Sequence, residues 1–394
     1  MRKQRRKENG ITLVALVVTI IVLIILAGVT LNIILDNDGI INKAKQAADE
    51  YENAQREEQE MLGEIEGYIE YAGKTAPIPA EYTKSQITTE DEVAEGLVIY
   101  EIPEGATVNW TDEEDENGNN QSTITIGDTT TNLQETVNQY VWIPVEDINS
   151  MVMCKSNTGD SICNLILEED VLKCTTHSDT ATNLVGRVYV GTSSTINENG
   201  NLMVINNVDF TTKDYIRDDS YYREPAIVVG DENNGIDTNQ MDSDFIAMAT
   251  SVAKNKGFYI SRYEVGKNGE SKKKQKVLTA ASNDGDNYLG SNMWYGLYHT
   301  IRDIDENKQM IWGCQYDQVI RFIGKQALMG HDDTNLTIIP ALSGQNELDK
   351  MKNIYDLQGN FWEWILEARY NGRVRRGGYF GVSKEKKFYS AFRT

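Results

Sequence analysis

The sequence predicts an α+β protein in two unequal parts. A long N-terminal helix crosses a membrane and continues as a stalk, and a domain of short strands, long loops and few helices follows. Three observations predict this. No side chain between Asn9 and Leu35 is ionisable. Beyond Asp36 the chain turns polar but keeps a helically spaced apolar stripe to about Tyr71. Beyond Gly73, apolar and aromatic residues alternate over short stretches separated by loops rich in Gly, Asn and Asp.

The first ten residues, "MRKQRRKENG", carry five basic groups and one acidic one. Residues 11–35, "ITLVALVVTIIVLIILAGVTLNIIL", then supply 25 positions interrupted only by Thr and Asn. About 20 apolar residues at 1.5 Å rise are enough to cross a bilayer. The basic flank stays cytoplasmic, so the expected localisation is the cell membrane, single-pass, with everything beyond Asp36 extracellular. A cleaved secretory signal fits less well, because its apolar region is usually about 7–15 residues.

A basic leader ending in Gly10, followed by Ile11-Thr12-Leu13, resembles the prepilin-type N-terminal segment of type IV pilins and pseudopilins. The resemblance implies cleavage after Gly10 by a prepilin peptidase, methylation of Ile11, and pilus-like self-association through the helix. A plain uncleaved anchor is the alternative. One position departs from the family: its usual glutamate, the fifth mature residue, is Ala15 here. That loses the charge which pairs with a neighbour's N-terminus in a filament.

Residues 36–72 read as the helical stalk, with Ile40, Ile41, Ala44, Ala48, Tyr51, Leu62, Ile65 and Ile69 on its stripe and a break or kink at Asp36, Asn37 and Gly39. Packing of this helix on its own globular domain competes with a lone stalk. Residues 73–137 read as a β and loop region. Its "TDEEDENGNNQ" resembles a calcium loop superficially but lacks the twelve-residue ligand spacing, so a solvated turn is expected. The formal net charge of −22 gives no basic face for phosphates, which excludes nucleic acid as an expected partner.

The outer domain spans 138–394. "QYVWIPV" (139–145) is a strand with Pro144 at an edge or bend. "KGFYISRYEVG" (256–266) alternates as a half-buried strand, and "MIWGCQYDQVIRFIGKQAL" (310–328) holds the clearest helix, with Tyr316, Val319, Ile320 and Ile323 on one side. "GRVRRGGYFG" (372–381) is a further strand. Taken with "YDLQGNFWEW" and "SAFR", these stretches in this order resemble the formylglycine-generating enzyme and sulfatase-modifying-factor family. The resemblance covers roughly 250 residues, on the order of one large domain, and implies a variant of the C-type-lectin-like fold.

By that resemblance, "DLQGNFWEW" folds around a calcium ion. The ligands would be Asp356, the backbone carbonyls of Gly359 and Phe361, and Glu363, with Trp362 and Trp364 plugging the core beneath. A hard cation takes six to eight oxygens at about 2.3–2.6 Å, and a glycine lets carbonyls turn inward. A tight aromatic-rich turn without metal is the alternative. The family's oxidation chemistry uses a cysteine pair near the end of the domain, but "RRGGYFGVSKEKKFYSAFRT" contains no cysteine. Without a thiolate that mechanism has no reacting atom, so the expectation is not an enzyme. Relatives continue for another strand or so, which makes truncation beyond Thr394 a further expectation.

Three cysteines and a histidine cluster in "CKSNTGDSICNLILEEDVLKCTTH": Cys154, Cys163, Cys174 and His177. A Cys₃His zinc site and a disulfide between two of the three both remain open, as do buried thiols. The expected function is a membrane-anchored, pilin-like surface protein whose outer domain is a non-catalytic binding or adhesion module for an extracellular protein or glycan. A divergent enzyme of the same fold and a structural minor pseudopilin are the alternatives. In display proteins on this fold the face near the chain's end carries the ligand contacts. Here that face offers Tyr379, Phe380, Lys384, Lys386 and Lys387, with Tyr370, Arg373, Phe388 and Tyr389 beside them.

Overall fold

The computed structural model describes residues 18–23, 74–155, 162–175, 184–186, 222–225, 228, 231–266, 268–278, 293–304, 308–324, 341–357, 360–369 and 372–377. The chain divides into two compact units, Met1–Glu64 and Ile65–Thr394. In the first, only the short helix α1 (residues 18–23) is described, with its side chains exposed.

The expected membrane-spanning and stalk helix requires correction. Among the described residues no helix is long and apolar enough to cross a membrane. The single-pass architecture and the cell-membrane localisation are corrected on the same finding. The leader, Gly10, Ile11, Ala15 and the stalk 36–72 lie outside the described residues.

The second unit mixes strands and helices. Its centre is an antiparallel sheet in the order β1 (Thr83–Lys84), β2 (Val98–Tyr100), β6 (Gln139–Pro144), β13 (Gly257–Ser261). Every residue of β6 is buried, because it lies between β2 and β13 and both of its faces are covered. Pro144 therefore closes a central strand, opposite Gly257, where the ladder ends and its missing N–H costs nothing. Helix α5 (Gly313–Ile323) lays Tyr316, Val319, Ile320 and Ile323 against this sheet in one apolar cluster with Val98, Val141 and Ile143.

A second cluster is organised by the eighteen-residue helix α3 (Thr238–Asn255), which buries Met241, Phe245, Met248, Ala249 and Val252. Those positions fall at i, i+4, i+7, i+8 and i+11, one helical face. The Asp237 carboxylate caps the helix by accepting from the Asn239 and Gln240 backbone N–H groups. Against it pack α4 (Met293–Ile304) and the strands β7 (Val152–Lys155), β9 (Leu165–Glu168) and β10 (Val171–Cys174).

Smaller sheets complete the unit. β3 (Thr107–Asn109), β4 (Thr123–Ile126) and β5 (Thr129–Asn132) form one, with α2 (Leu133–Thr136) following directly. β7 pairs with β8 (Ile162–Cys163) and β11 (Leu184–Gly186). β14 (Glu363–Arg369) lies between β12 (Tyr222–Arg223) and β15 (Gly372–Arg376), with a register shift between Trp364 and Ala368. The site described next lies where the loop before β14 meets the chain leaving β13 and β15.

Candidate functional site

The loop "YDLQGNFWEW" enters β14 through backbone that few side chains tolerate. Asp356 (φ 61°) and Asn360 (φ 39°) both adopt the left-handed region, where Asn and Asp are the least strained of the non-glycine residues. The curl turns Asp356 inward, where it is 2% exposed. Its carboxylate accepts from the Gly344 backbone N–H at 2.6 Å. Burial pushes the Asp356 carboxyl up to about 7 despite that hydrogen bond.

Glu363, the first residue of β14, is half-buried as a residue, but both carboxylate oxygens are buried and meet no donor from another described residue. Burial holds its pKa well above the usual carboxylate range, and the Asp356 carboxylate adds to the shift. Arg376, its cross-strand partner, opposes the shift, but its Nη2 is committed to Asp317 at 2.7 Å. Beside Glu363, a Cβ added at Gly377 (φ 72°) would collide with Oε2 and lie 2.8 Å from the Leu357 carbonyl oxygen. The Glu363 carboxylate and the Leu357 carbonyl therefore both press against the Gly377 backbone, at a position that tolerates no side chain.

A third carboxylate completes the cluster. Glu264, just beyond β13, accepts from the Phe361 backbone N–H at 3.1 Å and from the Asn360 side-chain amide. Asn360 in turn accepts from the Ala341 N–H at 3.0 Å. Burial first, then Asp356 and Glu363, raise the Glu264 pKa well above its ordinary value. Glu264 thus holds the loop through the peptide unit between Asn360 and Phe361 and through the Asn360 side chain.

Of the four expected calcium ligands, Asp356, Phe361 and Glu363 lie among the described residues, and the Asp356 carboxylate stands near enough to Glu363 to raise its pKa. The fourth, Gly359, lies outside the described residues. Sequence reasoning missed Glu264 and the Leu357 carbonyl. Glu264 sits inside the quoted "RYEV" stretch, and an acidic residue directly after a buried tyrosine was the available signal. Among the described residues no group of three or more His, Cys, Asp or Glu side chains is arranged to hold a metal ion. The expected site draws half its ligands from backbone carbonyls, which such a set does not include. Of the two tryptophans expected to plug the core, Trp364 is half-buried and packs against the second apolar cluster; Trp362 is half-buried, and the Arg375 guanidinium lies over both rings, 5.2 and 5.3 Å from their centroids.

The zinc or disulfide candidates occupy neighbouring strands. Cys154 and Cys163 are opposite each other in the β7–β8 ladder, whereas Cys174 ends β10. Cys154, Cys174 and Cys314 are buried in the same apolar cluster, and His177 lies outside the described residues. The expected ligand face, Tyr379, Phe380, Lys384, Lys386 and Lys387, also lies outside them. Arg373, counted with that face, turns inward instead, paired with Asp231 and 4.0 Å over the Trp294 ring.

The loop expected to be a solvated turn, 112–121, satisfies itself. Asp115 accepts from the Asn117 and Asn119 backbone N–H groups, and Asp112 accepts from the Thr88 N–H and hydroxyl at 2.8 Å each. These hydrogen bonds hold both carboxyl groups below their usual range.

Comparison with known proteins finds no matching family model, no matching curated relative and no matching solved structure.

Proposed function

We propose that the unit Ile65–Thr394 is a non-catalytic binding module whose loop 356–363 is organised by one calcium ion. The single observation that carries the reading is Glu363, a carboxylate whose two buried oxygens meet no donor from another described residue, beside a second buried carboxylate. A buried carboxylate without a donor costs several kcal/mol unless it is protonated or meets a cation. The chemistry of the donor set fits a hard cation: carboxylates of Asp356 and Glu363 and carbonyls of the Leu357–Phe361 loop, with the Leu357 carbonyl and the Glu363 carboxylate both against Gly377. When bound, the ion supplies charge compensation and fixes the loop. Asp356 and Glu363 would hold it, and Glu264 keeps the Phe361 peptide oriented.

The non-catalytic part of the reading rests on the resemblance to the formylglycine-generating family, combined with the absence of cysteine between Arg375 and Thr394. Calorimetric titration of the purified chain with calcium tests the proposal. The expected result is one site per chain with release of protons, lost in Glu363→Gln. No binding at millimolar calcium, or binding unchanged in that variant, overturns it.

A further inference from the structure

A second feature borders that loop through Tyr355. A half-open cavity of about 280 Å³ is walled by the turn 87–90, the loop 112–120, helix α2, Arg262 and the 347–355 segment. We propose that this cavity binds one neutral polyhydroxyl ligand the size of a single sugar ring. The inference deepens the binding reading by naming a ligand class, and it does not depend on calcium.

The argument begins from which lining charges are already engaged. Glu90 is 3% exposed; it is ion-paired to the Arg262 guanidinium at 2.6 Å, and also accepts from the Tyr100 hydroxyl at 2.6 Å and the Ser85 hydroxyl at 2.8 Å. Arg262 also donates to Gln139 Oε1 at 3.1 Å, so this pair forms a closed floor. Both oxygens of Asp112 are engaged by Thr88, and Glu347 is held by Lys273 and by the Tyr355 hydroxyl at 2.7 Å. A strongly charged ligand would have to break one of these pairs.

Hydrogen-bonding capacity nonetheless remains. Asp112 and Glu347 keep lone pairs, since a carboxylate has about four acceptor sites, whereas Glu90 fills its own with Arg262, Gln134, Tyr100 and Ser85. Glu114 lines the cavity without a described side-chain hydrogen bond or ion pair, and Lys350 is held only by Glu347, at 3.5 Å. Thr89 and Gln134 add neutral groups. The wall therefore offers many fixed acceptors, a loosely held donor and a single wholly aliphatic residue, Ile87. The Tyr355 ring provides no stacking platform, because Arg262 and Lys273 lie 5.5 and 5.6 Å from its centroid and Tyr263 packs against it.

A hydroxyl both donates and accepts, so a ring carrying several of them matches this wall without needing a charge. The volume sits at the lower end of small-ligand pockets, about 300–1,000 Å³, which suits one ring rather than a chain of them. Carboxylates already fixed by neighbours need little reordering to receive it.

The test is saturation-transfer NMR and calorimetry on the full chain. The panel is glucose, galactose, mannose, N-acetylglucosamine and myo-inositol, with putrescine and inorganic phosphate as charged comparators. At least one polyol should bind near the millimolar range. Glu114→Ala and Lys350→Ala, at exposed and half-exposed positions, should each weaken it about tenfold with unchanged melting. Lys254→Ala, on the outer face of α3, should change nothing. No polyol binding at 50-fold that concentration (about 50 mM, on the scale of weak affinities), binding by a charged comparator alone, or undiminished binding in both variants overturns the inference. A chain that takes calcium at Glu363 but no polyol retains the proposed function and loses this one.

Discussion

Two buried groups of charge sit close together in this domain and are handled in opposite ways. Around Glu90, every acidic oxygen meets a donor: Arg262, Tyr100, Ser85 and Gln134 enclose it. Around Glu363, whose oxygens meet no donor from another described residue, Asp356 and Glu264 add further negative charge, while Arg376 pairs with Asp317 through Nη2. The first is a finished structural element, in which desolvation is offset by pairing. The second stays costly until a proton or a cation arrives, and that incompleteness marks it as a site.

The comparison breaks most visibly at Arg262. Replacing Arg262 by Ala leaves Glu90 buried and unpaired, and the domain should lose about 3–5 kcal/mol in denaturant unfolding. A loss below about 1 kcal/mol would mean that the pair matters no more than a surface ion pair.

The next largest effect is pH dependence. Asp356, Glu264 and Glu363 all have folded pKa values raised above their unfolded ones, so the native state binds more protons. Their contribution is fully present below the unfolded carboxylate range of about pH 4 and is lost as pH rises through about 7 for Asp356 and through the raised pKa of each glutamate. Without divalent cations, thermal unfolding should therefore occur several degrees higher at pH 5 than at pH 8, on the scale of about 2–4 °C per kcal/mol.

Glu363→Gln sharpens the contrast further. It removes a buried charge while keeping shape, so at pH 8 without calcium it should raise stability by about 1–2 kcal/mol and flatten the pH dependence. The equivalent change Glu90→Gln should destabilise, because it strips Arg262 of its counter-charge. The smallest expected effect is at the exposed turn: Asp115→Ala should leave the melting temperature unchanged within error, although it breaks several hydrogen bonds in solvent.

Much of the fold was legible where one period dominates. The 139–145 and 256–266 stretches became β6 and β13, and the apolar side of 310–328 became the buried face of α5. Helix α3 was overlooked although Met241, Phe245, Met248 and Val252 share a face and Asp237 announces the cap, because polar Asn, Gln, Asp and Ser residues dilute the pattern at its start. The expected membrane helix rested on apolar length alone, which periodicity cannot check, and the described residues contain no helix that meets the requirement. At the site, Asp356 and Glu363 were legible as closely spaced acids in an aromatic loop. Glu264 was not, because it arrives from a strand about a hundred residues earlier in the chain and acts through hydrogen bonds to backbone that only folding creates.

The most direct test of the central claim compares the calcium-induced shift in melting temperature at two pH values. Protons and calcium compete for the same oxygens of Asp356 and Glu363. Calcium should therefore raise the melting temperature clearly at pH 8 and little at pH 5, and Glu363→Gln should abolish the pH 8 shift. An equal shift at both pH values, or none at pH 8, would contradict the account.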